Sequence, residues 1–186
     1  MVEQPFLFTP PVLLHEDAVR ELCRLARRGY ETMQKQEAYG FLFGRLGSDG
    51  RLMVRHARAY RGGRRTRWGV EYPVYGARRR SRELATRLRL RYLGSFHSHV
   101  EIAGRVSRGM SADDRRTFRE DDRASIEAVV FVWAGPRRTL RPSPRSVVGY
   151  EPDTDYHYRI RVYRKVGGGV RRVRVKVKRT GVVVVY

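Results

Sequence analysis

Cysteine is almost absent from this chain. Among 186 residues only Cys23 carries a thiol, which excludes an intramolecular disulfide and any cysteine-cluster zinc site. Lysine is nearly as scarce, standing only at positions 35, 165, 176 and 178. No stretch approaches the ~18–20 consecutive apolar residues that a bilayer-spanning helix needs. Met1 to Pro10 lacks the basic and then apolar pattern of a secretory signal. Internal repeats and a linker-like composition break are missing too. These absences predict a soluble, cytoplasmic protein forming one domain over residues 1–186, long enough to bury a core without staples.

What is abundant is arginine. Forty basic residues against 19 acidic ones give a net charge of +21, and because four of the forty are lysine, 36 are arginine. A basic excess of this size marks either an anionic partner such as nucleic acid or a coding bias. The near-exclusion of lysine favours coding bias, since selection for a partner rarely rejects one of the two cations. Nucleic acid stays as a second expectation, although no interleaved basic-and-aromatic motif accompanies the charge.

Hydrophobic periodicity outlines the elements. Val19, Leu22, Cys23 and Ala26 fall at i, i+3, i+4, i+7 and predict a helix over 16–28, with Gly29 as its stop. Runs at 38–46 and 52–60 read as strands joined through Gly47-Ser48-Asp49-Gly50, a hairpin signal. Gly40 and Gly44 inside the first run predict close approach of a neighbouring chain segment. Residues 61–67 read as an exposed loop. A helix over 81–92, a strand over 93–99, a loop over 100–110 and a helix from Ser111 to about Asp122 follow. The nearly continuous apolar run 126–133 reads as a buried strand. A loop with Pro136, Pro142 and Pro144 leads to a short strand at 147–150. Two alternating strands, 157–166 and 170–178, form a basic hairpin around Gly167-Gly168-Gly169, with a solvated arginine face. The valines 182–185 need pairing. The pattern predicts an α+β (mixed α/β) fold, a curved sheet flanked by helices.

The chemistry concentrates in Gly94-Ser95-Phe96-His97-Ser98-His99. Residues two apart on a strand share a face, so both imidazoles can reach one metal ion. Downstream, Ser111-Ala112-Asp113-Asp114 opens a helix. Asp114 in its first turn offers a carboxylate as third ligand, with Asp113 as a rival, and Ser111 suits the N-cap. Three protein ligands leave one tetrahedral position open, as a catalytic zinc requires. His15, His56 and His157 lack companions at ligand spacing and read as ordinary polar or half-buried residues. Trp68 and Trp133 read as packing residues.

Taken with Glu37 ahead of the Gly40 and Gly44 strand, the series Gly94-x-x-His97-x-His99 and Ser111-x-x-Asp114 resembles the JAMM (JAB/MPN) metallopeptidase family, over about 13–178. The resemblance implies a cytidine-deaminase-like JAB/MPN fold whose curved sheet is mainly antiparallel. It implies one zinc ion per chain on His97, His99 and Asp114, with Glu37 as acid–base and Ser111 as oxyanion donor. It also implies cleavage of ubiquitin or ubiquitin-like conjugates or precursors. A non-catalytic scaffold and a RadC-like nucleic-acid-associated protein are the alternatives. One departure stands out. The family pattern places seven residues between the second histidine and the serine, often starting with proline. Here eleven residues, Val100 to Met110, intervene. Seven-residue spacing would select Ser107 and put Met110 at the carboxylate position, so Ser111 and Asp114 are taken and the surplus is read as a loop insertion, which costs little free energy.

Overall fold

The computed structural model describes residues 9–67, 69–107, 109–136, 141 and 143–179. Trp68, Pro142 and the valine run 182–185 lie outside them. In chain order the elements are β1 (Val12–His15), α1 (Glu16–Tyr30), β2 (Tyr39–Leu46), β3 (Leu52–Ala59), β4 (Arg64–Arg65), β5 (Val70–Glu71), α2 (Val74–Leu88), β6 (Arg91–Val100), α3 (Ala112–Glu120), β7 (Ile126–Ala134), β8 (Val147–Glu151), β9 (Tyr156–Val166), β10 (Gly169–Arg172) and β11 (Val175–Lys178). Nine strands make one curved sheet in the order β10-β9-β7-β6-β2-β3-β1-β11, with β8 also on β9, while β4 and β5 pair separately. β1 is parallel to β3 and β11, and β6 to β7. The other pairs are antiparallel. The α+β class and the mainly antiparallel curved sheet are therefore as the sequence suggested. Among the described residues no helix is long and apolar enough to cross a membrane.

The sheet separates its helices. α1 buries Ala18, Leu22, Leu25 and Ala26 with Leu42, Val54, Phe96, Ala128 and Val130 on one face. Leu22 is fully buried there, and Leu22→Ala would cost about 2–5 kcal/mol. On the opposite face α2 supplies Ala77 and Leu84 to a cluster with Phe41, Phe43 and Tyr60. α3 sets Phe118 against Val129, Phe131 and Tyr163. Gly40 and Gly44 serve as predicted: a Cβ at Gly40 would lie 2.1 Å from the Arg58 carbonyl oxygen, and one at Gly44 1.8 Å from that of Met53.

Three expectations are corrected. α1 runs through Gly29 to Tyr30. Glycine is needed there because a Cβ would come within 2.4 Å of the Gln36 carbonyl oxygen, not because the helix stops. α2 begins at Val74, behind Pro73, and ends at Arg89 in a left-handed cap. Its buried residues are only Ala77, Ser81 and Leu84, with Ala85 and Leu88 partly buried beside them, too few buried apolar side chains to mark the helix's true span, and Arg91 and Tyr92 already belong to β6. The second strand of the basic hairpin is not continuous. β8 occupies the edge of β9 from Tyr156 to Ile160, leaving β10 only Tyr163 to Val166. The chain therefore departs at Val173–Arg174 and continues as β11 beside β1, nearly closing the sheet.

Candidate metal centre

The site is built from three neighbouring strands and one helix end. Tyr39 of β2 pairs with His97 of β6, and His97 with Val129 of β7. Side chains two apart share a face, so the line of Glu37 and Tyr39, the line of His97 and His99, and the line of Glu127, Val129 and Phe131 all project from the surface that α2 and α3 flank. The backbone at Glu37 is pinned. Its N–H donates to the Thr66 carbonyl, the N–H of Ala38 donates to Ser98 Oγ at 2.7 Å, and the N–H of Ser98 donates back to the Ala38 carbonyl.

Helix α3 brings the third candidate ligand. Ser111 is its N-cap, and Ser111 and Asp114 form a capping box. The Asp114 N–H donates to Ser111 Oγ at 3.0 Å, and the Ser111 N–H donates to Asp114 Oδ2 at 2.7 Å. This reciprocal pair satisfies two helix-end donors and fixes the carboxylate. Asp114 Oδ2 then lies 3.4 Å from His97 Nε2 and 3.3 Å from His99 Nε2, while the two imidazole nitrogens are 3.1 Å apart. Asp113, the rival ligand, is exposed and pairs with Arg116 at 2.8 Å.

That triangle fits a metal ion. Zinc bonded to nitrogen and oxygen at ~2.0–2.1 Å in a tetrahedron separates its ligands by about 3.3 Å. The three donors already stand at that spacing, and they form the group of histidine and carboxylate atoms able to hold a cation. Two imidazoles and one carboxylate suit a borderline cation such as zinc.

Glu127 escaped the sequence reading. Its Oε1 lies 2.6 Å from Nδ1 of His97, and both residues are buried. With the proton on Nδ1, the Nε2 lone pair of His97 faces Asp114 and His99. A ligand histidine is typically oriented in this way by an acceptor on its other nitrogen. The signal was present: within the apolar run 126–133, Glu127 is the only charged residue, and a charge buried in a strand requires a partner.

Charge in the site is strongly redistributed. Burial pushes the Glu37 carboxyl up to about 8, with Asp114 adding to the rise and His97 opposing it. Burial would lower His97, but its hydrogen bonds to Asp114 and Glu127 outweigh this and hold it well above the ordinary imidazole value. Burial and repulsion from His97 lower His99, although Asp114 opposes them. For Asp114 the hydrogen bonds from both histidines overcome burial and hold it far below the usual carboxylate range. Glu37, His97, Ser111, Asp114 and Glu127 line one cavity of about 620 Å³, with Tyr39 and Tyr72 stacked at 4.3 Å along its wall.

The remaining histidines lie outside it. His15 caps α1, accepting from the Asp17 N–H. His56 is partly exposed on β3. His157 departs from expectation: it is fully buried, stacked on Trp133 at 5.3 Å.

Neither a protein-family model nor a curated protein matches the chain. Its fold is similar to the solution structure of a Desulfitobacterium hafniense protein determined as a structural-genomics target. The two share 17% identity and a TM-score of 0.57, over 91% of this chain and 94% of that one. This likeness speaks for the fold alone.

Proposed function

We propose that this chain is a zinc-dependent peptidase of the JAMM (JAB/MPN) type, an isopeptidase removing ubiquitin or a ubiquitin-like protein from conjugates or precursors. The observation that carries the reading is the near-equilateral triangle of His97, His99 and Asp114 beside the buried carboxyl of Glu37. The order Glu37, His97-x-His99, Ser111-x-x-Asp114 is that of the family it resembles, and the eleven-residue spacer does not prevent Asp114 from reaching the histidines.

One zinc ion held by His97, His99 and Asp114 would supply Lewis acidity and lower the pKa of water to about 7. The chain supplies the rest. Glu37, lifted towards neutrality by burial, accepts a proton from the attacking water and hands it to the departing amine. Ser111 Oγ accepts from the Asp114 N–H, which leaves its hydroxyl proton to donate to the oxyanion that develops on the scissile carbonyl. Glu127 holds His97 in one tautomer and orientation. A buried carboxyl raised to about 8 in the same cavity as the proposed ligands supports the catalytic reading over a scaffold.

Elemental analysis tests the proposal. Purified protein should carry about one zinc per chain, lost in His97→Ala and Asp114→Ala. Glu37→Gln should keep the metal and lose cleavage of ubiquitin-like conjugates. A chain that takes up no metal after zinc is added back would refute the hydrolase.

A further inference from the structure

Across the sheet the order β2, β6, β7, β9 places Glu37 on one side of the two histidines and a second cavity, of about 440 Å³, on the other. It begins one aromatic ring from the metal ligands, at Phe131, whose ring meets that of His99 edge-on at 5.4 Å. One wall is the segment between His99 and Ser111, through Glu101, Gly104, Val106 and Ser107. The opposite wall is β9, where Arg159 and Arg161 sit two apart on the face that bears Phe131 and Trp133.

The cavity is cationic by construction. The guanidinium carbon of Arg161 lies 5.3 Å from the centre of the Phe131 ring, and that of Arg159 lies 5.9 Å from Trp133. Arg159 thereby brings a guanidinium to the cavity wall, and a guanidinium can pair bidentately with a carboxylate. Among the described residues Glu101 is the acidic side chain lining the cavity. Its carboxylate already accepts from the Tyr30 hydroxyl at 2.8 Å and lies 3.9 Å from the Lys35 ammonium. His157 adds an independent sign. Its Nε2 lies 3.1 Å from the carbonyl oxygens of Gly135 and Pro136, so the proton is on that nitrogen. Among the described residues its Nδ1 is buried with no partner. As the unprotonated nitrogen, Nδ1 is an acceptor, so it calls for a donor, which the backbone N–H of a bound peptide supplies and a carboxylate does not.

We infer that this cavity is a substrate subsite for a carboxylate side chain, Asp or Glu, standing one or two residues from the scissile bond. The inference rests on the peptidase reading. An extended peptide advances about 3.3 Å per residue, so a chain crossing the metal delivers a side chain past Phe131 within that span. Glu101, Gly104, Val106 and Ser107 of the spacer thereby become a specificity wall. Nucleic acid fits this cavity less well, because Arg159 and Arg161 line one small recess and not a track of repeated phosphates.

The test uses zinc-loaded protein and internally quenched octapeptides identical except for Glu or Gln at one position near the scissile bond. At one position Glu should raise kcat/KM by about tenfold, mainly through KM. Arg159→Gln should erase the difference between the twins. Calorimetry gives a second readout: Glu37→Gln protein should bind the Glu peptide about tenfold tighter than its Gln twin, and adding Arg159→Gln should remove that gap. Equal cleavage and equal binding of the twins would overturn the subsite while leaving the peptidase reading intact. Arg159-dependent binding without any cleavage would leave a carboxylate-binding pocket but overturn the peptidase reading, and with it the assignment of the pocket as a substrate subsite. Displacement of the Glu peptide by a single-stranded oligonucleotide, with the oligonucleotide bound more tightly, would overturn the subsite in favour of nucleic acid.

Discussion

His97 Nδ1 and Glu127 Oε1 lie 2.6 Å apart on adjacent parallel strands, so the orientation of one proposed ligand depends on a residue that offers no ligand atom itself. Removing the carboxylate leaves His97 free to rotate and to change tautomer. Glu127→Ala should weaken zinc binding about 10- to 100-fold, measured by competition with a chromophoric chelator. Glu127→Gln keeps an acceptor oxygen and should lose less. Wild-type affinity in Glu127→Ala would show that Glu127 does not orient the ligand.

Ser111 combines two roles that substitution can separate. In Ser111→Ala the backbone N–H that holds Asp114 Oδ2 remains, so metal content should stay near one per chain. The lost cap should cost about 1 kcal/mol of stability. Turnover should fall about 10²- to 10³-fold if the hydroxyl stabilises the oxyanion. An unchanged kcat would leave Ser111 as a helix cap and nothing more.

Much of this site was legible because its signals are local. Strand alternation put His97 and His99 on one face, and the Ser111 and Asp114 spacing is that of a capping box, so the helix end and the third donor came together. Glu127 was missed because its role depends on β7 lying parallel beside β6, a pairing that no local pattern reveals. The division of β10 from β11 was hidden for a similar reason. The alternation of Val173, Val175 and Val177 is unbroken, and the interruption comes from β8, which already occupies the edge of β9. α2 was displaced because five of its fifteen residues are arginine and only Ala77, Ser81 and Leu84 are buried.

Metal uptake should release protons. In the metal-free protein Asp114 and Glu127 hold His97 protonated above its ordinary range, and a cation cannot bind until that proton leaves Nε2. Zinc affinity should therefore rise with pH between 6 and 8, by about tenfold per pH unit for each proton released. Calorimetry in buffers of different ionisation enthalpy counts those protons directly. An affinity indifferent to pH would mean that His97 is already neutral.

Glu37 gives a stability test with a definite sign. Its carboxyl, ordinarily near 4.5, is raised to about 8 in the fold by burial. Below pH ~4.5 both folded and unfolded chains hold this proton, and the site costs nothing extra. Between ~4.5 and ~8 the unfolded chain releases it while the folded chain retains it, so folding binds a proton and stability falls as pH rises. Above that window the folded protein bears the full penalty of a buried carboxylate. Glutamine has no such titration. Metal-free Glu37→Gln should therefore melt above the wild type at pH 9, by about 2–4 °C for each kcal/mol of penalty removed, and the gap should shrink towards pH 5. Zinc should narrow the gap at pH 9, because the cation offsets the carboxylate charge. Melting temperatures that differ equally at both pH values would place the effect in packing and show that Glu37 does not carry a raised pKa.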